Sequence, residues 1–322
     1  MDISVVIPLY NEEESLPELV SWIEKVMLEN HFSYEIIMVD DGSKDNSWNI
    51  VKNLSMENPN VKGISFQRNY GKAAALHTGF QAARGNVVIT MDADLQDSPD
   101  EIPELFRMIT ADGYDLVSGW KKIRHDPVLS KNLPSKFYNW TVRRMSGIKL
   151  HDMNCGLKSY RSRVVKSIEV YGDMHRFIPV LAKWAGYKKI GEKVVHHQER
   201  KYGVTKFGAE RFIRGPLDLI SVMFISKFGK RPMHFFGVLG TLMFVFGFLA
   251  ALWVGIMKIY ALKHGVRIRL VTDNPYFYIA LTLMIIGTQL FLSGFIADLI
   301  SRNSPDRNQY HVAEKTNEDL NQ

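Results

Sequence analysis

The sequence predicts an α/β fold: a Rossmann-like, mainly parallel doubly wound sheet, then a juxtamembrane amphipathic segment and a two-helix transmembrane hairpin. Three observations carry this expectation. Short apolar runs alternate with helical stretches through the first part of the chain, the pattern of βαβ units. Two later stretches, 235–257 and 275–297, each run 23 residues without a charge. Eight Lys or Arg gather between Gln198 and Arg231, directly before the first of them.

The elements follow in order. Residues 3–9 form an apolar first strand, and 12–29 a helix after Tyr10-Asn11. A second strand over 34–39 closes on Asp40-Asp41-Gly42-Ser43, and Ser43 is placed as N-cap of a helix over 45–56. A third strand over 61–66 and a helix over 72–83 lead through Arg84-Gly85-Asn86 into the strand that starts at Val87. A helix over 99–110 and a strand over 114–118 complete the regular pattern.

At 1.5 Å per residue each uncharged stretch makes a helix of roughly 35 Å, enough for a hydrocarbon core of about 30 Å. Gly237, Gly240 and Gly247 suit close helix packing. The basic segment mixes Arg200, Lys201, Lys206, Arg211, Arg214, Lys227, Lys230 and Arg231 with apolar residues, as an interfacial helix on anionic lipid would. Its position beside a span disfavours nucleic acid as partner. The expected layout is 1–208, 209–232, 233–300 and a polar tail at 301–322. Localisation is expected to be the inner membrane, multi-pass, with the first domain on the cytoplasmic side. Lys258, Lys263, Arg267 and Arg269, between the spans, run against the positive-inside tendency. The single cysteine, Cys155, excludes an internal disulfide framework. The N-terminus enters a strand without a basic leader, so no signal peptide is expected.

The chemistry centres on Val87-Val88-Ile89-Thr90-Met91-Asp92-Ala93-Asp94-Leu95-Gln96-Asp97, an apolar run ending in three carboxylates. The carboxyl ends of parallel strands open into the ligand crevice of α/β folds. Carboxylates gathered there repel one another unless a cation sits among them, and hard oxygen donors suit Mg²⁺ or Mn²⁺. Asp97 is expected to cap the next helix, and Asp41 to shape a turn. No Gly-x-Gly-x-x-Gly follows the first strand and no P-loop occurs, which argues against a dinucleotide dehydrogenase and a P-loop ATPase.

Val5-Val6-Ile7-Pro8-Leu9-Tyr10-Asn11-Glu12, Val39-Asp40-Asp41-Gly42-Ser43, Arg68-Asn69-Tyr70-Gly71-Lys72 and Met91-Asp92-Ala93-Asp94-Leu95-Gln96-Asp97 occur in that order. Together they resemble family 2 glycosyltransferases of the GT-A fold. With Arg231-Pro232-Met233-His234 entering the first span, the chain is similar to the polyisoprenyl-phosphate glycosyltransferases. That resemblance implies a UDP- or GDP-sugar donor, bordered by Pro8, Tyr10, Glu12 and Asp40, with Gly71 and Lys72 near the phosphates. It implies Mg²⁺ or Mn²⁺ on Asp92 and Asp94, with Gln96 possible, and Arg200 and Lys206 in a loop closing over the diphosphate. On the acceptor side it implies polyprenyl phosphate held by Lys121, Arg124, Lys131 and Ser135. Asp94 and Asp152 are the implied catalytic residues, Asp152 either as a base or, with more weight, as an orienting group.

The implied activity is inverting transfer of one hexose. The Gln-x-x-Arg-Trp signature of processive synthases is missing after residue 150. A hydroxyl or lipid-linked glycan acceptor and a non-catalytic membrane scaffold are the rival expectations, and the hairpin is compatible with a homo-oligomer.

Overall fold

A computed structural model describes residues 1–122, 143–144, 146–198, 201–202, 224, 228, 232–265 and 270–302. The chain divides into two compact units, 1–222 and 223–322.

In the first unit the strands are β1 (Ile3–Leu9), β2 (Tyr34–Asp40), β3 (Val61–Ser65), β4 (Val87–Thr90), β5 (Leu116–Trp120), β6 (Lys158–Arg161) and β7 (Ile190–Val194). They make one sheet in the order β3-β2-β1-β4-β6-β5-β7. β1 lies parallel to β2, with Leu9 opposite Asp40, and parallel to β4, with Val6 opposite Thr90. Ile3, Val5, Val6, Ile7, Ile36, Ile37, Met38, Val39, Val88 and Ile89 are all fully buried. Strands covered on both faces require such unbroken apolar runs, which explains why these three were plain in the sequence. β6 runs antiparallel between β4 and β5. Its polar sequence, Lys-Ser-Tyr-Arg, carries no strand signal, and neither β6 nor β7 was placed by periodicity.

Among the described residues, the named helices of this unit include α1 (Leu16–Glu29), α2 (Ser47–Glu57), α3 (Lys72–Ala82), α4 (Ile102–Thr110), α5 (Ser162–Ser167) and α6 (Ile178–Trp184). α1 begins four residues later than expected because the preceding backbone is tied elsewhere: the N–H of Glu12 donates to Ser47 Oγ at 2.9 Å and that of Glu13 to Asp45 at 3.3 Å. Ser43 is not the cap of α2, whose N-cap position is Asn46. Its hydroxyl instead accepts the Asn11 N–H at 2.9 Å. The loops after β1 and β2 are thus stitched together, a long-range bond outcompeting a local cap.

The second unit holds α7 (Met233–Lys263) and α8 (Pro275–Arg302), both long and apolar enough to cross a membrane. Their helical limits exceed the uncharged stretches, since charged ends extend the helices. They pack along glycines: a Cβ at Gly240 would lie 2.6 Å from Gly287 O, and one at Gly247 would lie 2.6 Å from Ala280 O. Backbones this close leave no room for a side chain. Gly240→Leu is therefore expected to cost upward of ~1–3 kcal/mol by overpacking, read as a lower thermal midpoint in detergent. Gly255→Leu is the control, because a Cβ there meets nothing within 4 Å.

Candidate active site

The chain leaves β1 toward β2 on one side, while β4 joins β1 on the other. A crevice at such a switch point, outside the carboxyl ends of the strands, is where open α/β sheets bind ligands. The ends of β1, β2 and β4 and the N-terminus of α3 meet there.

Pro8, Tyr10 and Glu12 are half-buried at the end of β1. Asn11 holds a positive φ of 52°, and its side-chain oxygen accepts the Lys44 N–H at 2.7 Å. Asp40 is 1% exposed; its oxygens accept the Ser43 N–H at 3.0 Å and the Ser65 hydroxyl at 3.1 Å. Asp40 was expected to accept a hydrogen bond from the base; here its carboxylate is folded into the strand end, where it shapes the turn. Asp41 is the turn residue foreseen, accepting the N–H groups of Tyr70 at 2.7 Å and Gly71 at 2.9 Å.

Gly71 sits at φ 94°, ψ 158° and starts α3. That region is open almost only to glycine, so Gly71→Ala is expected to cost ~1–3 kcal/mol. Faster hydrogen exchange at Tyr70–Lys72 would report it. The reward of this turn is the position of Lys72, whose ammonium pairs with Asp92. Burial pushes the Asp92 carboxyl up, but Lys72 and Lys121 outweigh it and hold the group at about 2. Asp92 is thus ionised at neutral pH, and its side chain remains 31% exposed.

Beyond it, Leu95 is buried and takes a left-handed φ of 58°. A bulky residue there is a strained position. Leu95 turns the chain so that Asp94, 9% exposed, accepts the Gln96 N–H at 3.2 Å. The Gln96 carbonyl accepts the Gln198 N–H at 2.9 Å, tying the acidic tip to the segment after β7. Among the described residues no three His, Cys, Asp or Glu side chains form a ligand set. Two carboxylates at a crevice still suit Mg²⁺ or Mn²⁺, which complete their shell with phosphate and water oxygens.

Two expectations are corrected. Asp97 does not cap the next helix: it is fully buried, and Lys121 Nζ lies 2.8 Å from its carboxylate. Ser98 caps instead, accepting the Asp100 N–H at 3.3 Å. Lys121, expected as an open acceptor-phosphate cation, points inward and is 14% exposed. Burial alone would lower its pKa, but Asp97 raises it above the ordinary value. Each of the two would be costly to bury alone, and the pair resolves both.

Asp152 is 2% exposed, and its carboxylate accepts the Asn154 N–H at 3.0 Å. Its carbonyl accepts the Ser118 hydroxyl at 3.3 Å. The loop it shapes brings Gly156 under Asp92, where any Cβ would overlap the carboxylate. Thr90 Oγ1 fixes that approach by donating to Gly156 O at 2.8 Å.

Sequence reasoning missed Lys158. It is 4% exposed on β6, donates to Cys155 O, and shares a cleft with Lys72, Asp92, Asn154, His175 and Arg176. Burial lowers its pKa. Burial also takes His175 well below the usual imidazole value, helped by Lys72 and Arg176, so the ring is neutral at pH 7. A lysine between buried residues in Gly156-Leu157-Lys158-Ser159-Tyr160 was the only sequence signal. The buried Cys155 thiol is pushed up to about 12, chiefly by burial, and is unreactive. Arg124, Lys131, Ser135, Arg200 and Lys206 lie outside the described residues.

Residues 4–169 match the model of the family "Glycosyl transferase family 2". The chain is a family 2 glycosyltransferase. Among the relatives of this glycosyltransferase is the dodecaprenyl-phosphate galacturonate synthase of Rhizobium johnstonii, 36% identical over 94% of this chain and 88% of that protein. Another is the undecaprenyl-phosphate 4-deoxy-4-formamido-L-arabinose transferase of Shewanella sediminis, 35% identical over 96% and 91%. The fold is shared with glucosyl-3-phosphoglycerate synthase of Mycobacterium tuberculosis, in a crystal structure containing Mn²⁺, uridine diphosphate and phosphoglyceric acid. There the TM-score is 0.52 at 19% identity, over 70% of this chain and 78% of that one. The GT-A architecture expected from the motifs is the one observed, with β6 as its antiparallel insertion.

Proposed function

We propose that this glycosyltransferase moves one sugar from a UDP- or GDP-sugar to polyprenyl phosphate at a membrane surface, with inversion. The observation that carries the reading is the Asp92–Asp94 tip at the switch point, with Asp92 ionised and backed by Lys72. Both relatives described above are named for polyprenyl-phosphate chemistry and are matched over most of their length, which supports the acceptor class. Helices α7 and α8 supply an anchor of membrane-spanning length; in this reading the catalytic unit lies on the cytoplasmic side.

In this reading Pro8, Tyr10 and Glu12 border the nucleoside, and Asp40 and Asp41 hold the walls of its pocket. Asp92 and Asp94 would hold Mg²⁺ or Mn²⁺, which when bound would supply charge neutralisation to the departing diphosphate. Lys72 exchanges its Asp92 partner for a diphosphate oxygen when donor binds. Lys158, Arg176 and neutral His175 line the side where the sugar sits. An oxygen of the acceptor phosphate attacks the anomeric carbon in line, the bond to the nucleoside diphosphate breaks, and an α-linked donor gives a β-linked product. A phosphate monoester has a second pKa near 6, so its oxygen needs no base at neutral pH. The enzyme's part is then positioning and charge. The buried, hydrogen-bonded Asp152 fits orientation of the loop rather than proton abstraction.

The test is a panel of radiolabelled UDP- and GDP-sugars with membranes containing the enzyme and added polyprenyl phosphate. Label should pass into organic solvent only with Mg²⁺ or Mn²⁺, and EDTA should abolish it. Asp152→Asn should retain measurable turnover; complete loss in a folded variant would favour a hydroxyl acceptor that needs a base.

A further inference from the structure

We propose that the cleft beside Asp92 takes a sugar acid, with Arg176 pairing the carboxylate of a uronosyl donor. The inference rests on the donor reading above and names the class of sugar that this site prefers. The cleft holds ≈ 310 Å³ of empty space, and Lys72, Asp92, Asn154, Lys158, His175 and Arg176 are among its walls. Small-ligand sites run from about 300 Å³ upward, so one sugar ring is a suitable occupant.

Arg176 stands on a one-turn 3₁₀ helix, Met174–Phe177, that leads directly into α6. Met174, Phe177 and Ile178 are buried on either side of it and fix the backbone from which its side chain leaves. Arg176 itself is only 9% exposed, yet its guanidinium has no hydrogen-bond or ion-pair partner among the described residues. A guanidinium stays charged at any physiological pH, and burying it without a counter-charge is costly. The carboxylate nearby is already committed, since Asp92 pairs with Lys72. Asp92, Asp94 and Lys72 are assigned to the diphosphate end of the donor, which leaves Arg176 for an anion elsewhere on it.

The other polar atoms of the cleft decide which anion. Asn154 Oδ1 and His175 Nδ1 are buried and unbonded. An amide oxygen only accepts, so Asn154 calls for a ligand that brings an O–H or N–H. Ionised phosphates bring none. A sugar acid supplies both kinds of partner: its hydroxyls reach Asn154 and the neutral His175 ring, and its carboxylate meets the planar fork of Arg176 in two parallel bonds. A neutral hexose satisfies the amide and leaves the cation alone.

The test is calorimetric titration of the full chain in detergent, with Mg²⁺ or Mn²⁺ and without polyprenyl phosphate. The probes are donor pairs that differ only at the sugar's terminal carbon: UDP-glucose and UDP-glucuronate, UDP-galactose and UDP-galacturonate, GDP-mannose and GDP-mannuronate. In at least one pair the acid should bind about tenfold tighter or more, the usual worth of a charge-assisted contact. Arg176→Gln should bring that pair within about twofold of each other. Arg176→Lys should recover part of the preference, because charge returns without the fork. The thermal midpoint of Arg176→Gln should not fall, since the change removes an unpaired buried cation. UDP and GDP alone locate the contact: an equal loss of their affinity in Arg176→Gln assigns the guanidinium to the diphosphate and overturns the proposal. A lower midpoint with uniform loss of affinity makes Arg176 structural and also overturns it. So does equal or tighter binding of the neutral member of every pair by the unmodified protein. With no acceptor present, nucleotide binding that lacks an acid preference fails this inference alone, whereas the absence of any metal-dependent nucleotide binding fails the donor reading with it.

Discussion

Replacing Asp92 and Asp94 together by alanine is expected to lower sugar transfer by at least about a thousandfold, because several kcal/mol of charge stabilisation are lost and each 1.36 kcal/mol is tenfold in rate. Stability should change little. Asp92 and Lys72 are each 31% exposed, and ion pairs that retain solvent contribute modestly. Initial rates at saturating donor, alongside a thermal melt, separate the two effects. A folded double variant transferring sugar at the original rate would end the proposed mechanism. The acid limb of activity is a second readout: with Asp92 held near 2, its ionisation does not limit rate between pH 5 and 8. A rate that fell with protonation of Asp92 inside that window would contradict the charge environment described here.

The second large effect is structural and lies at the opposite, amino-terminal ends of the strands. Glu35 on β2 is fully buried and accepts the Ser4 hydroxyl at 2.6 Å, the Arg84 N–H at 2.7 Å and Lys62 Nζ at 2.5 Å. Ser4 Oγ in turn accepts the Gly85 N–H at 2.7 Å. This carboxylate holds the turn between α3 and β4, and so the register of the strand that ends in the acidic tip. Glu35→Ala strands buried donors and is expected to cost ~2–3 kcal/mol. The Lys62 contribution is discounted because that side chain is 41% exposed. Hydrogen exchange over β1, β2 and Arg84–Asn86 in the full chain should accelerate accordingly; unchanged protection would refute the role.

The same group gives a pH dependence. Burial pushes the Glu35 carboxyl up, but Lys62, Ser4 and the Arg84 N–H outweigh it and leave it below the ordinary value. A lowered folded-state pKa means the contribution is fully present above the unfolded value of ~4.3 and fades as pH falls through the folded value. Glu35→Gln should flatten this acid limb of stability.

The two groups also divide what local sequence could and could not carry. Glu35 looked like one polar residue in an apolar strand, and nothing nearby in the chain announced its partners 27, 31 and 49 residues away. Asp92 and Asp94 were plain, because an apolar run ending in spaced carboxylates is a local pattern whose meaning survives without tertiary context. Asp97 belonged to the same pattern and was misread. Its partner Lys121 comes from β5's end, a neighbour only once β6 has been inserted between β4 and β5.

What the sequence by itself determined are the features written in periodicity and composition: the buried strands β1, β2 and β4, the glycine at Gly71 and the two long apolar helices. Burial on both faces, a φ of 94° and a hydrocarbon solvent each demand particular residue types at adjacent positions. Tertiary structure alone decided where Lys121 and Lys158 point, which hydroxyl caps and which stitches, and which glycines lie against another backbone. Those outcomes turn on pairing of charges and donors across long separations, where desolvation makes any unpaired group expensive and the nearest partner in space outranks the nearest in sequence.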